Sequence, residues 1–301
     1  QVNRPRSKDH QKDCIRIVKR FGESLEKKGI NLSTTKLNWL PSEILDIFYE
    51  YILENFNINS DTSVDKHTRI MKGFFRFLIG VNMYNNANYF DTIETKPIEP
   101  SPISITDEEF KRVLDVISIE NGHKVERGGY RNQYYHWLKD AIVVGRHTGL
   151  RKDEIYNLKW DDIFEKDGYK FFYVLDKKVT ELKGKLIYKV VAITDEFNDY
   201  LNIIRSKSDS EYILDNDLKE STFKDVLGRA FTHFFKIAYP KKKEVKHFKH
   251  LRKSHITELK SILGADAYLA SGHSGDRVLE KHYVDQMEAN IKFLKVKDQL
   301  R

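Results

Sequence analysis

The chain has 301 residues, enough for two domains that each bury a core, and 52 Lys and Arg against 45 Asp and Glu leave a formal net charge of +7. That balance points to a polyanionic partner, although an acidic protein or a membrane surface would suit it as well. The single cysteine, Cys14, excludes an intramolecular disulfide framework and any zinc site built on several cysteines. No apolar run reaches the ~18 residues of a membrane span, and the charged opening stretch lacks a signal-peptide core. The expected setting is therefore intracellular and reducing, with no membrane partner.

Residues 1 to 30 are basic and helical in pattern. From Ser42 to Phe56 the residues Ile44, Leu45, Ile47, Phe48, Tyr51 and Ile52 recur at helical spacing, with Pro41 near the start. A second helix is expected over Ser63 to Ile79. Ile70, Met71, Phe74, Phe75, Phe77 and Leu78 form its apolar side, and Lys66, Arg69, Lys72 and Arg76 its basic side. That basic side is either a solvated face or a phosphate-binding one. Three of the six prolines then fall within Pro97 to Pro102, which reads as an extended linker over 97–104 between domains at 1–96 and 105–301.

After the linker, Thr106 and Glu109 form a capping-box signature ahead of Phe110, Val113, Leu114, Val116 and Ile117. A further helix is expected over Tyr134 to Arg146. Tyr169 to Val174 and Leu186 to Thr194 read as the strands of a β-hairpin whose polar turn contains Gly184. From Glu196 onward the pattern is helical again. The fold class is mainly α with a small β-sheet.

Three blocks carry chemistry: Thr148-Gly149-Leu150-Arg151 with Glu154, Lys249-His250-Leu251-Arg252, and Gly272-His273 followed ten positions later by Tyr283. A phosphodiester repels nucleophiles and has a poor alkoxide leaving group. Metal-free cleavage needs cations over its non-bridging oxygens and a proton donor beside the leaving oxygen. The arginine fork suits the first task, because it matches two phosphate oxygens and stays charged. Each residue also has a plainer reading: Arg151 and Glu154 as a surface helix pair, His273 as a core histidine, Tyr283 as a packing residue. His247, His250, His255, His273 and His282 lack a supporting carboxylate or cysteine cluster, so no metal or other cofactor is expected.

In this order and with these flanks, the three blocks resemble the tyrosine recombinase (phage integrase) family, over roughly residues 35 to 285. Leu158-Lys159-Trp160-Asp161-Asp162-Ile163 also looks like the tail of that family's first-arginine block. The resemblance implies an N-terminal helical core-binding (SAM-like) domain and a C-terminal α+β catalytic domain, together clamping duplex DNA. It implies a site-specific recombinase, often of a mobile genetic element, in which Tyr283 forms a 3′-phosphotyrosyl bond without metal or ATP.

By the same resemblance Arg151 and Arg252 bind the scissile phosphate, His273 hydrogen-bonds it, and a hairpin lysine is the general acid. Lys183 fits that place, with Lys185 the other choice. Lys249 stands where the family usually has His, which leaves open what accepts the tyrosine proton; His247 and His250 lie nearby. The basic run Lys241, Lys242 and Lys243 joins Lys66, Arg69, Lys72 and Arg76 as expected DNA-backbone contacts. Implied partners are double-stranded DNA, three further copies of the chain in a tetramer on two DNA sites linked by exchange of the tail after Tyr283, and accessory DNA-bending proteins. The implied location is the nucleoid. Whether an arm-binding domain precedes Gln1 stays open. So do two other functions on this fold, a catalytically inactive DNA-binding regulator and a type IB topoisomerase-like enzyme. A metal-dependent nuclease is a weaker alternative.

Overall fold

The computed structural model describes residues 8–58, 60–94, 104–126, 129–263, 267–270, 294 and 296. The chain divides into two compact units, Gln1–Ser101 and Pro102–Arg301. The first holds α1 (Lys8–Lys27), α2 (Ile44–Phe56) and α3 (Asp61–Gly80). Each contributes one apolar stripe: Ile17, Phe21 and Leu25 from α1, Ile44, Phe48 and Ile52 from α2, Met71, Phe75 and Leu78 from α3. Phe21 meets Phe48, Phe75 and Phe90 edge-on, so the core is aromatic and its ring geometry helps fix the packing. α2 stops at Asn57, whose left-handed backbone (φ 50°) caps it. Phe77 departs from the sequence expectation. It is 63% exposed, because at 3.6 residues per turn it lies roughly 120° round from the Met71, Phe75 and Leu78 stripe.

In the second unit the order is α4 (Asp107–Asp115), β1 (His123–Glu126), β2 (Gly129–Asn132), α5 (Leu138–Thr148), α6 (Lys152–Tyr156), β3 (Ile163–Lys166), β4 (Tyr169–Leu175), α7 (Lys177–Lys183), β5 (Tyr188–Ile193), α8 (Asp195–Arg205), α9 (Glu220–Ala238), α10 (Lys249–Leu263) and α11 (Ala267–Ala270). Strands β1 and β2 form a separate antiparallel pair, and β3, β4 and β5 form an antiparallel sheet in that order. The fold is thus mainly helical with a small sheet. Asp167 and Gly168 both have positive φ, which allows the two-residue turn from β3 to β4.

Strands β4 and β5 pair as the sequence suggests, but the polar segment between them is a helix rather than a turn. Asp176 caps the start of α7 by accepting the Val179 N–H, and left-handed Gly184 ends it.

The sheet buries both faces. Phe172, Val174, Val191 and Ile193 join the main core with α5 and α9. Phe171, Val190 and Ala192 pack with Leu259, Ala267, Ala270 and Leu294. Leu294, from the sequence beyond Tyr283, is the residue of that region that packs against this face of the sheet among the described residues. Among the described residues no helix is long and apolar enough to cross a membrane.

Candidate active site

The site begins where α5 ends. Gly149 closes that helix in the left-handed region (φ 61°), donating its N–H to the Gly145 carbonyl. A Cβ at Gly149 would lie 2.6 Å from the His255 ring, so both backbone angle and space call for glycine. Two residues later Arg151 starts α6. Its backbone N–H donates to Glu154 Oε2 at 2.7 Å, and its Nη1 donates to Glu154 Oε1 at 2.8 Å and Asp176 Oδ2 at 3.4 Å. Both carboxylates are almost fully buried, with Glu154 1% and Asp176 4% exposed. Burial alone would lower the Arg151 pKa, but Glu154 and Asp176 outweigh it and hold the guanidinium above its ordinary value. Among the described residues those side-chain bonds all use Nη1.

Arg252 reaches the same turn from the first turn of α10. Its Nη1 donates to the Gly149 carbonyl, while Nη2 is buried and finds no acceptor among the described residues. Burial and then the charge of Arg151 lower its pKa. Lys189 on β5 completes the group. Its side chain is 4% exposed, and Nζ lies 2.7 Å from Glu154 Oε2. That contact is an ion pair without hydrogen-bond alignment, since the same Nζ has no acceptor in good geometry. Burial lowers the Lys189 pKa, Glu154 opposes the shift, and Arg252 and Arg151 add to it. Arg151, Arg252 and Lys189 thus surround the buried carboxylates of Glu154 and Asp176, with Asp153 also acting on Arg252. A half-buried cluster of cations with an N–H that has no acceptor among the described residues is suited to an oxyanion.

No protein-family model and no curated protein matches this sequence. Solved structures do. A lambda integrase (75–356) dimer bound to a COC′ core site superposes with a TM-score of 0.63 over 92% of this chain and 94% of that one, at 17% identity. A lambda integrase tetramer bound to a Holliday junction gives 0.64, covering 94% and 76%, at 15% identity. XerH site-specific recombinase in a post-cleavage complex with a palindromic difH substrate gives 0.56 over 94% and 76%, at 16% identity. The fold is that of the tyrosine recombinases.

Within this recombinase fold the residues expected to act fall into three groups. Arg151 and Arg252 come together at the Gly149 turn. Lys249 opens α10 and is exposed; three residues before Arg252, it shares that residue's side of the helix. His250 lies on the opposite side, buried, with Nδ1 accepting the His247 N–H. Burial and the neighbouring Lys249 and His247 charges push it down to about 4, so it is neutral at pH 7. His247 packs beside Thr232, 3.0 Å from its hydroxyl. Lys183 is the exposed last residue of α7, roughly 10 Å along the helix axis from the Asp176 cap, and Lys185 follows Gly184. His273 and Tyr283 lie outside the described residues.

Five of the seven expected DNA contacts have carboxylate or carbonyl partners. Lys66 pairs with Asp13, Arg69 with Asp65 at 3.6 Å and Arg76 with Asp91 at 2.8 Å, while Lys72 donates to the Ile93 carbonyl. Lys241 and Lys243 are exposed, but Lys242 and the neighbouring Lys246 are held by Glu109. Sequence reasoning missed Lys189 and Asp176. A lysine opening the otherwise apolar run Val190, Val191, Ala192 and Ile193 was the available signal for the first. Asp176 carried only a capping signal.

Proposed function

We propose that this chain is a site-specific tyrosine recombinase that cuts and rejoins duplex DNA. The observation carrying this reading is the convergence of Arg151 and Arg252, about a hundred residues apart in sequence, on one glycine turn, with Arg252 Nη2 lacking an acceptor among the described residues. The two guanidiniums would bind the non-bridging oxygens of the scissile phosphate and stabilise the charge that grows there during attack. Tyr283 Oη attacks phosphorus and the bond to O5′ breaks. Lys183, on the connection between β4 and β5, protonates the departing O5′. The phenolic proton passes to water, Lys249 acts as a fixed charge on the phosphate, and His273 donates a hydrogen bond to it. The 3′-phosphotyrosyl bond conserves the cleavage energy, so a second 5′ hydroxyl can religate without ATP.

Duplex DNA is the proposed substrate. The unit before the proline-rich segment contributes α3 to binding, and the unit after it performs catalysis. Four copies on two sites would exchange strands, with the tail bearing Leu294 moving from its own sheet to a neighbour's; the protein would work at the nucleoid.

Covalent capture tests the reading. Nicked duplexes carrying the flanks of the native locus are incubated with protein in the absence of metal, and adducts are resolved on denaturing gels. An adduct formed by wild type and lost in Tyr283→Phe is the expected result. Tight binding with no adduct from wild type would sink the catalytic reading in favour of a regulator.

A further inference from the structure

Lysine is rarely buried, and taking an ammonium out of water is costly unless a partner compensates it. Lys189 is nonetheless buried at the start of β5, ahead of four apolar strand residues. Its partner Glu154 is the residue that grips Arg151. Oε2 takes both Lys189 Nζ, at 2.7 Å, and the Arg151 backbone N–H, at 2.7 Å, while Oε1 takes Arg151 Nη1, at 2.8 Å. The carboxylate therefore has one oxygen anchored from the strand and the other aimed at the guanidinium. A well-packed apolar pair could replace such an ion pair without loss of stability, so stability alone does not account for it.

We propose that Lys189 is a positioning residue of the phosphate site, fixing Glu154 so that Glu154 fixes the Arg151 fork. The role rests on the cleavage reading above. It differs from that of the general acid, which must give a proton to the leaving oxygen, and the two respond differently to the leaving group. A 5′-bridging sulfur departs as a thiolate and needs no proton, whereas a misplaced arginine harms both substrates.

The experiment measures single-turnover adduct formation on oxygen- and sulfur-bridged nicked duplexes by wild type, Lys189→Met, Lys189→Arg and Lys183→Ala, with DNA affinity measured alongside. Lys189→Met is expected to cleave about 10- to 100-fold more slowly on both substrates at unchanged affinity, the range a small misplacement produces. Lys189→Arg should restore most of the rate, and only Lys183→Ala should be rescued by sulfur. An unchanged rate in Lys189→Met, or its full rescue by sulfur, overturns the positioning role. Failure of wild type to form any adduct is separate and defeats the cleavage reading instead. If Lys189→Met does not fold, the charge-neutral pair Lys189→Met with Glu154→Gln is compared with Glu154→Gln alone. Equal rates support action through Glu154, and a further loss in the pair overturns it.

Discussion

The two terminal nitrogens of the Arg252 guanidinium have different surroundings. Nη1 is tied to the Gly149 carbonyl, which locks α10 to the turn that presents Arg151, and Nη2 is buried without an acceptor among the described residues. A lysine here has one compact ammonium, which cannot hold the carbonyl and face the phosphate together. Arg252→Lys should therefore lower the cleavage rate about 10²- to 10³-fold, the usual cost of removing one donor to the developing charge. Because α3 is untouched, DNA affinity should fall far less. Adduct formation and equilibrium binding on the same duplex separate the two, and a near-normal cleavage rate would show that Nη2 has no catalytic task. Both arginines were legible in the sequence, because each sits in a short block with a characteristic order. Lys189 was not, since one lysine among 52 cationic side chains carries no mark until the strand buries it.

At the scale of elements, local signals that name their partner were readable. Thr106 and Glu109 form the expected capping box, with the Glu109 N–H donating to Thr106 Oγ1 at 3.2 Å and the Thr106 N–H to Glu109 Oε2 at 2.9 Å. What the sequence did not reveal is that Lys242 and Lys246 close on the same carboxylate from 133 and 137 residues away. Burial would raise the Glu109 pKa, but these lysines and the Thr106 amide bring it to about 2. The helix α7 was missed for a related reason: Asp176 and Gly184 serve equally as turn residues, and only tertiary contacts decide.

The contact between α10 and the α5 turn also has a pH dependence. His255 packs on Gly149. Burial, followed by Arg146, Arg252 and His147 against the opposing Glu258, pushes it down to about 3. The folded state thus binds fewer protons than the unfolded chain below the ordinary imidazole pKa. The stabilisation is complete above about pH 6.5 and is lost as pH falls toward the folded value. Each such proton adds a slope of at most about 1.4 kcal/mol per pH unit. Urea unfolding of wild type should therefore lose stability from pH 6.5 to 5, before Glu109 titrates. His250, also held below its ordinary value, contributes in the same window, so His255→Asn should make that slope shallower without abolishing it, and an unchanged slope would mean that His255 does not titrate differently on folding.

At the scale of the whole molecule, the net charge of +7 overstates how freely the cations of α3 can meet a polyanion. Arg76 lies across Asp91, with Nη2 to Oδ1 at 2.8 Å and Nε to Oδ2 at 3.3 Å, yet its side chain is 66% exposed. Such a surface pair is worth about 0–1 kcal/mol, so a phosphate can displace the carboxylate at little cost. The carboxylate then remains beside the phosphate and repels it. If α3 faces DNA, Asp91→Asn should tighten binding, whereas Arg76→Ala should weaken it. Replacing Arg76 should also make the log–log dependence of affinity on salt shallower by about one unit, since one fewer counterion is released. The double variant should bind more tightly than Arg76→Ala alone, because the repulsion between Asp91 and the phosphate is removed whether or not the arginine is present. Fluorescence anisotropy on one duplex across a salt series reads all three variants. Equal affinities for wild type, Asp91→Asn and Arg76→Ala at every salt concentration would take Arg76 out of the DNA-binding surface and leave any contact from α3 to Lys66, Arg69 and Lys72.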